Sequence, residues 1–126
     1  MAEKLSARTA DKVFNKLPAG LVDLCISHYE LLFSFENIRR NASNTELVNR
    51  LDVMADKLKD NVDILTDLIR NLTSRDIHLH TTAEGDTLWN LSRRYKTEIH
   101  EICEINNIEN VLKPYEKKYL LIPTRP

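Results

Sequence analysis

Glycine is almost missing from this 126-residue chain, which has only Gly20 and Gly85. Glycine takes left-handed backbone at no steric cost, so a chain this poor in it has few sharp turns and suits helices. Cysteine is as scarce: Cys25 and Cys103 are the only two, each among apolar neighbours. Two cysteines make no disulfide framework, and both read as reduced thiols in a core. No apolar run approaches the roughly twenty residues that a membrane span needs. Net charge is lacking too. Eighteen Lys and Arg against nineteen Asp and Glu leave −1, which gives no electrostatic case for nucleic acid or an anionic membrane surface. Met1 to Asn15 alternates charges with single apolar residues and has no apolar h-region. That reads as a chain without a signal peptide, kept in the cytoplasm.

Signatures of catalysis are also wanting. There is no Gly-rich phosphate loop, nucleophile elbow or zinc-protease motif. His78 and His80 are two apart and share one face of a strand, but a metal needs three or four converging ligands. The acidic residues scatter along helix surfaces. The expectation is a non-enzyme with no metal and no cofactor.

What the chain has is periodicity. Pro18-Ala19-Gly20 breaks any preceding helix. From Leu21 an apolar stripe runs through Leu24, Cys25, His28, Leu31, Leu32, Phe35 and Ile38 to the basic pair Arg39-Arg40, which suits a helix C-terminus. Asn41-Ala42-Ser43-Asn44 is a turn, and Asn44 or Thr45 caps a second, long helix. In it Leu47, Leu51, Met54, Leu58, Asn61, Leu65, Leu68 and Leu72 step alternately by four and three, a heptad seam widened by Val62 and Ile69. This seam is the candidate oligomer interface. Asn61 is its one polar member. It is either half of a register-fixing Asn pair in a coiled-coil oligomer or a wet edge of an intramolecular hairpin. On both readings 21–40 and 45–73 form an antiparallel helical hairpin whose small core favours docking on another copy or on a partner.

After Thr73-Ser74-Arg75-Asp76 the period changes to two. His78-Leu79-His80-Thr81-Thr82 and Tyr119-Leu120-Leu121-Ile122-Pro123 read as strands. Between them Gly85 makes a turn, Asp86 or Thr87 caps a helix with Leu88, Leu91 and Tyr95 inward, and a second short helix runs from about Ile99 to Ile105. The fold class is therefore α+β: a coiled-coil-like helical hairpin over 1–74, then a small βααβ unit over 77–126. The short polar linker, with no Gly or Pro, should hold the second unit near the hairpin's end.

Gly85-Asp86-Thr87-Leu88-Trp89, Tyr95, Asn106-Asn107 and the closing Leu120-Leu121-Ile122-Pro123 resemble a LysM domain over roughly His78 to Thr124. The resemblance implies a βααβ fold that binds N-acetylglucosamine polymers, peptidoglycan or chitin, in a groove between two loops. Carried over residue by residue, the first loop is Glu84, Gly85, Asp86 and Thr87. The second is Asn107, Ile108, Glu109, Asn110, Val111 and Leu112, with an apolar floor from Ile108 or Leu112. The chain departs from the family pattern in three places. His80 and Thr82 stand where Tyr and Val are frequent, Lys96 replaces a common Gly, and Pro114-Tyr115-Glu116-Lys117-Lys118 takes the place of a Pro-Gly-Gln turn. Two functions follow as expectations. One is a glycan-binding module carried on a helical interaction domain. The other is an intracellular scaffold or adaptor with a protein partner, as LysM-like units serve in phage-tail and contractile-injection baseplates and spore coats.

Overall fold

The computed structural model describes residues 14–109 and 117–126. Gly20, in left-handed backbone with φ +87°, turns the chain into helix α1, Leu21–Asn41. That helix ends on Arg39 and Arg40, and the Asn41 side-chain amide donates to the Asn37 carbonyl at 2.9 Å. Helix α2, Thr45–Thr73, starts where Asn44 Oδ1 accepts the Leu47 N–H at 3.0 Å. Of the two expected caps, Asn44 is the one used. The helix stops at Ser74, whose left-handed backbone (φ 57°) lets its N–H close on the Arg70 carbonyl at 2.8 Å. Strand β1, Asp76–Thr81, follows, then α3, Leu88–Tyr95, α4, Ile99–Asn106, and strand β2, Tyr119–Thr124. The class is α+β, a helical hairpin followed by a short βααβ region.

The hairpin register is fixed by the Arg39–Asp52 ion pair at 2.6 Å and by Cys25 Sγ against Thr66 Oγ1 at 3.9 Å. This register splits the α2 seam. Leu51 and Leu65 turn inward and Leu58 and Leu72 are partly covered, whereas Leu47, Met54 and Leu68 are about half exposed and Asn61 faces solvent. The inward side is completed by Val62 and Ile69. Apolar residues flank the seam on both sides, so sequence period alone does not say which column meets α1. The column that meets it carries the smaller Ala55 and Val62, and small residues let helix axes approach.

β1 and β2 pair antiparallel, Asp76 opposite Thr124 through Thr81 opposite Tyr119. Both faces of this two-stranded sheet are covered. Leu120 and Ile122 pack with Leu88, Leu91, Ile102, Cys103 and Ile108 on the α3–α4 side. Leu121 packs with Val22, Cys25, Leu65 and Ile69 of the hairpin, joined by Ile105, with Ile77 and Leu79 alongside. Full burial of one such aliphatic side chain is worth roughly 1.5–3 kcal/mol, so four or five of them outweigh the entropy of a swinging unit. A buried ion pair adds geometry: Arg75 Nε meets Glu101 Oε1 at 3.3 Å, and Arg125 reaches the other carboxylate oxygen at 3.6 Å. The Arg75 guanidinium also lies over the Phe14 ring, 5.7 Å from its centroid. The linker residue is thereby tied to both units. No described helix is long and apolar enough to cross a membrane.

Candidate functional site

The first loop leaves β1 with its pairing still intact: the Thr82 N–H donates to Lys118 O at 2.9 Å and the Thr82 hydroxyl to Lys117 O at 2.8 Å. A β-turn follows, closed by the Asp86 N–H on Ala83 O at 3.0 Å. Gly85 sits at its third position with φ +92°, the sign that a type II turn demands there. Thr87, not Asp86, caps α3, its Oγ1 accepting the Asn90 N–H at 3.0 Å.

Asp86 is used differently. Its Oδ2 accepts from the Ala83 N–H at 2.8 Å and from His80 Nε2 at 2.9 Å. A carboxylate only accepts, so His80 carries a proton on Nε2, and its Nδ1 is hydrogen-bonded to the Tyr95 hydroxyl at 2.9 Å. The ring of Tyr95 lies edge-on to His80, with centroids 5.6 Å apart. The His80 hydrogen bond, foremost, and the Ala83 N–H hold the Asp86 carboxyl below the usual aspartate range, against the opposing pull of burial. His80 and His78 do not act together. His80 is buried and pinned to the loop, while the exposed His78 Nε2 meets Thr124 Oγ1 at 3.1 Å.

The second loop is anchored from below. Asn106, 3% exposed, donates its amide to Ile102 O at 2.8 Å and Leu121 O at 2.7 Å, and accepts the Leu121 N–H at 2.8 Å. Thr82 and Lys118 are hydrogen-bonded across the ladder, so the Leu79–Leu121 pair three steps on is one whose main-chain groups point outward. Asn106 supplies those groups with what a third strand would. Asn107 then turns left-handed (φ 54°), and the Ile108 N–H returns to Cys103 O at 2.9 Å, a Schellman closure of α4. Asn is the residue after Gly that best tolerates this backbone.

Leu88, directly after the first loop, and Ile108, in the second, share one core cluster. The loops therefore meet at their bases. Gly85, Thr87, Asn107 and Glu109 are exposed, and Asp86 is half-buried. Ile108 is 6% exposed and lies in the core, which leaves little of it for a groove floor. Asn110, Val111 and Leu112, as well as Pro114 to Glu116, lie outside the described residues. Lys96, where the family pattern has Gly, adopts left-handed backbone (φ 54°) at the end of α3, the geometry that glycine would serve.

Sequence reasoning missed two residues and one covered face. Trp89 is 62% exposed on the first turn of α3, beside the first loop. His80 links that loop to the sheet, and only the unusual histidine in a strand core could have signalled it. The covered outer face of the sheet was signalled by the unbroken apolar run Tyr119 to Ile122, which a strand exposed on one face would interrupt. A hollow of about 400 Å³ reaches the start of the second loop from the hairpin side, between Phe14, Pro18 and Asp23 on one side and Glu104 and Asn107 on the other. Among the described residues no group of three His, Cys, Asp or Glu is placed to hold a metal ion.

Residues 80–123 match the family model of the LysM domain. The matched segment runs from His80 in β1 to Pro123 in β2 and takes in both loops. No curated protein matches the chain, and no solved structure matches it.

Proposed function

We propose that this chain is a non-catalytic binding and assembly protein, in which the LysM-like unit holds N-acetylglucosamine-containing polymers such as peptidoglycan or chitin and the helical hairpin is its interaction domain. The observation that carries the reading is the pair of loops at 84–87 and 107–109. They have the family's backbone devices (Gly85 in its turn, Thr87 as cap, Asn107 in left-handed backbone) and they are exposed over a rigid base. Exposed main-chain N–H and C=O groups there suit an N-acetyl substituent, with Asn110, Val111 and Leu112 assigned to the same groove. Trp89 adds an aromatic face of the kind that sugar rings stack on. The sequence division at 74–77 separates the two roles: binding beyond it, assembly before it.

The test is titration of isotope-labelled protein with a chitin oligomer and with a peptidoglycan fragment, followed by NMR. Shifts centred on Gly85, Asp86, Thr87, Trp89 and Asn107 to Leu112 are expected. A few net hydrogen bonds of about 1 kcal/mol each, less the cost of association, correspond to millimolar to micromolar binding. Unshifted loops at several-millimolar sugar would sink glycan binding. The second reading, a scaffold whose loops meet protein, draws on the half-exposed apolar side chains of the hairpin. It predicts co-assembly with a protein partner and silence towards both sugars.

A further inference from the structure

The hairpin has two broad faces, and the described chain covers one. Cys25, Leu32 and Arg39 of α1 point at α2, as Ala55, Val62 and Ile69 of α2 point back. Residues one position later, Ile26 and Phe33 on α1 and Arg70 on α2, meet the sheet unit: Phe33 lies 5.6 Å from the Tyr119 ring, and Arg70 reaches Asp76 at 3.9 Å. Residues one position earlier lie on the opposite face, because equal offsets on two antiparallel helices fall on the same side of the pair. They are Leu24, Leu31 and Ile38 on α1 and Met54, Asn61 and Leu68 on α2. The five apolar members are 45–51% exposed.

These columns also match in height. The Arg39–Asp52 and Cys25–Thr66 contacts place Leu24 level with Leu68, Leu31 with Asn61, and Ile38 with Met54. These six positions are therefore apolar at both ends, with the polar one in the middle layer. We infer that this face is a dimer interface, on which a second copy of the chain lays its own hairpin to form an antiparallel four-helix bundle, with Asn61 set against the partner's Asn61.

The position of Asn61 selects both the occupant and its register. An amide buried against a leucine loses its water without replacement, whereas two amides facing across a two-fold axis satisfy each other. A two-fold axis perpendicular to the helices, through the Leu31–Asn61 layer, produces that pair. It also sets Leu24 over the partner's Ile38 and Met54 over the partner's Leu68. A two-fold axis parallel to the helices would bury Asn61 on the partner's Leu31 instead. The face is about 30 Å long and 20 Å wide, roughly 600 Å² in outline, against the roughly 800 Å² that each partner brings to a standard interface. The inference rests on the hairpin's role as interaction domain, and it places the two LysM-like units on opposite outer sides of the bundle.

The test uses the full chain without sugar, so its outcome is independent of glycan binding. Sedimentation over a wide concentration range should give the mass of two chains, and Leu31→Glu should give one chain with its helical circular dichroism retained. Asn61→Cys should form a disulfide-linked dimer under mild oxidation, while Lys59→Cys, on another side of α2, should not. The exposed Asn61→Cys change spares the fold, so it decides the matter even if Leu31→Glu unfolds. A monomer at every concentration overturns the inference, and so does a dimer in which Asn61→Cys fails to cross-link.

Discussion

Replacing Asn106 by Ala should be among the most damaging single changes in the LysM-like unit. The side chain sits 3% exposed between α4 and β2, and its three hydrogen bonds are all 2.7–2.8 Å long. Ile102 O keeps its place in the helix when the amide is removed. The N–H and C=O of Leu121 have no such reserve, since they face away from β1 in a residue that is 1% exposed. Each buried main-chain group left unpaired costs about 1–3 kcal/mol, so the pair costs roughly 2–6 kcal/mol. For a chain of this size that lowers the melting temperature by roughly 10–20 °C. The assay is urea unfolding followed by helix circular dichroism, with Asn107→Ala as the neighbouring control. That control trades one tolerated left-handed residue for a less tolerated one, at about 1 kcal/mol. If Asn106→Ala loses under about 1 kcal/mol, or no more than the control, the amide is not what completes β2.

Lys96→Gly should stabilise the chain by about 0.5–1 kcal/mol, because φ 54° costs a lysine and not a glycine; a urea midpoint that fails to rise at constant slope would refute it. The Asp86 carboxyl is held below its ordinary value by His80 and the Ala83 N–H. Its contribution is therefore complete above the unfolded value of about 3.9 and lost as the pH falls through the lower native one. Asp86→Asn should flatten the acid limb of the stability curve there, and an unchanged limb would show that the contact is energetically idle. A fragment of residues 76–126 should fold on its own around the Leu88–Leu91–Ile102–Ile122 cluster but melt well below the whole chain, since Leu121 and Ile105 lose the hairpin that covers them; an unfolded fragment by NMR would show that there is one domain and not two.

The elements were legible because their signals are local. Asn44 before a heptad, Gly85 before a capped apolar turn and the basic end of α1 each place a boundary through contacts within four residues. What escaped depends on contacts far apart in sequence. The α2 seam offers apolar side chains at Leu47, Met54 and Leu68 on one flank and Val62 and Ile69 on the other, and only docking of α1 decides between them. His80 and Asp86 are six residues apart, yet their bond needs the β1 pleat and the first loop together. Lys96 shows a third limit. A left-handed helix end is expected at glycine, and here the fold imposes it on lysine.

The hairpin's hold on the outer face of the sheet has a thermodynamic consequence. The first loop leaves β1 and the second is tied to β2 through Asn106, and the other side of that sheet is buried against α1 and α2, so opening the sheet strips the helices of Leu121 and Ile105 as well. That shared burial couples the unfolding of the two parts, so a ligand that grips only the native loops would also stabilise the helices it never touches. If the loops hold sugar as proposed, helix melting followed in the far ultraviolet reports their occupancy. A glycan titration needs no label on the loops: the long helices, which hold most of the circular dichroism signal, would register the occupant through the temperature at which they unwind.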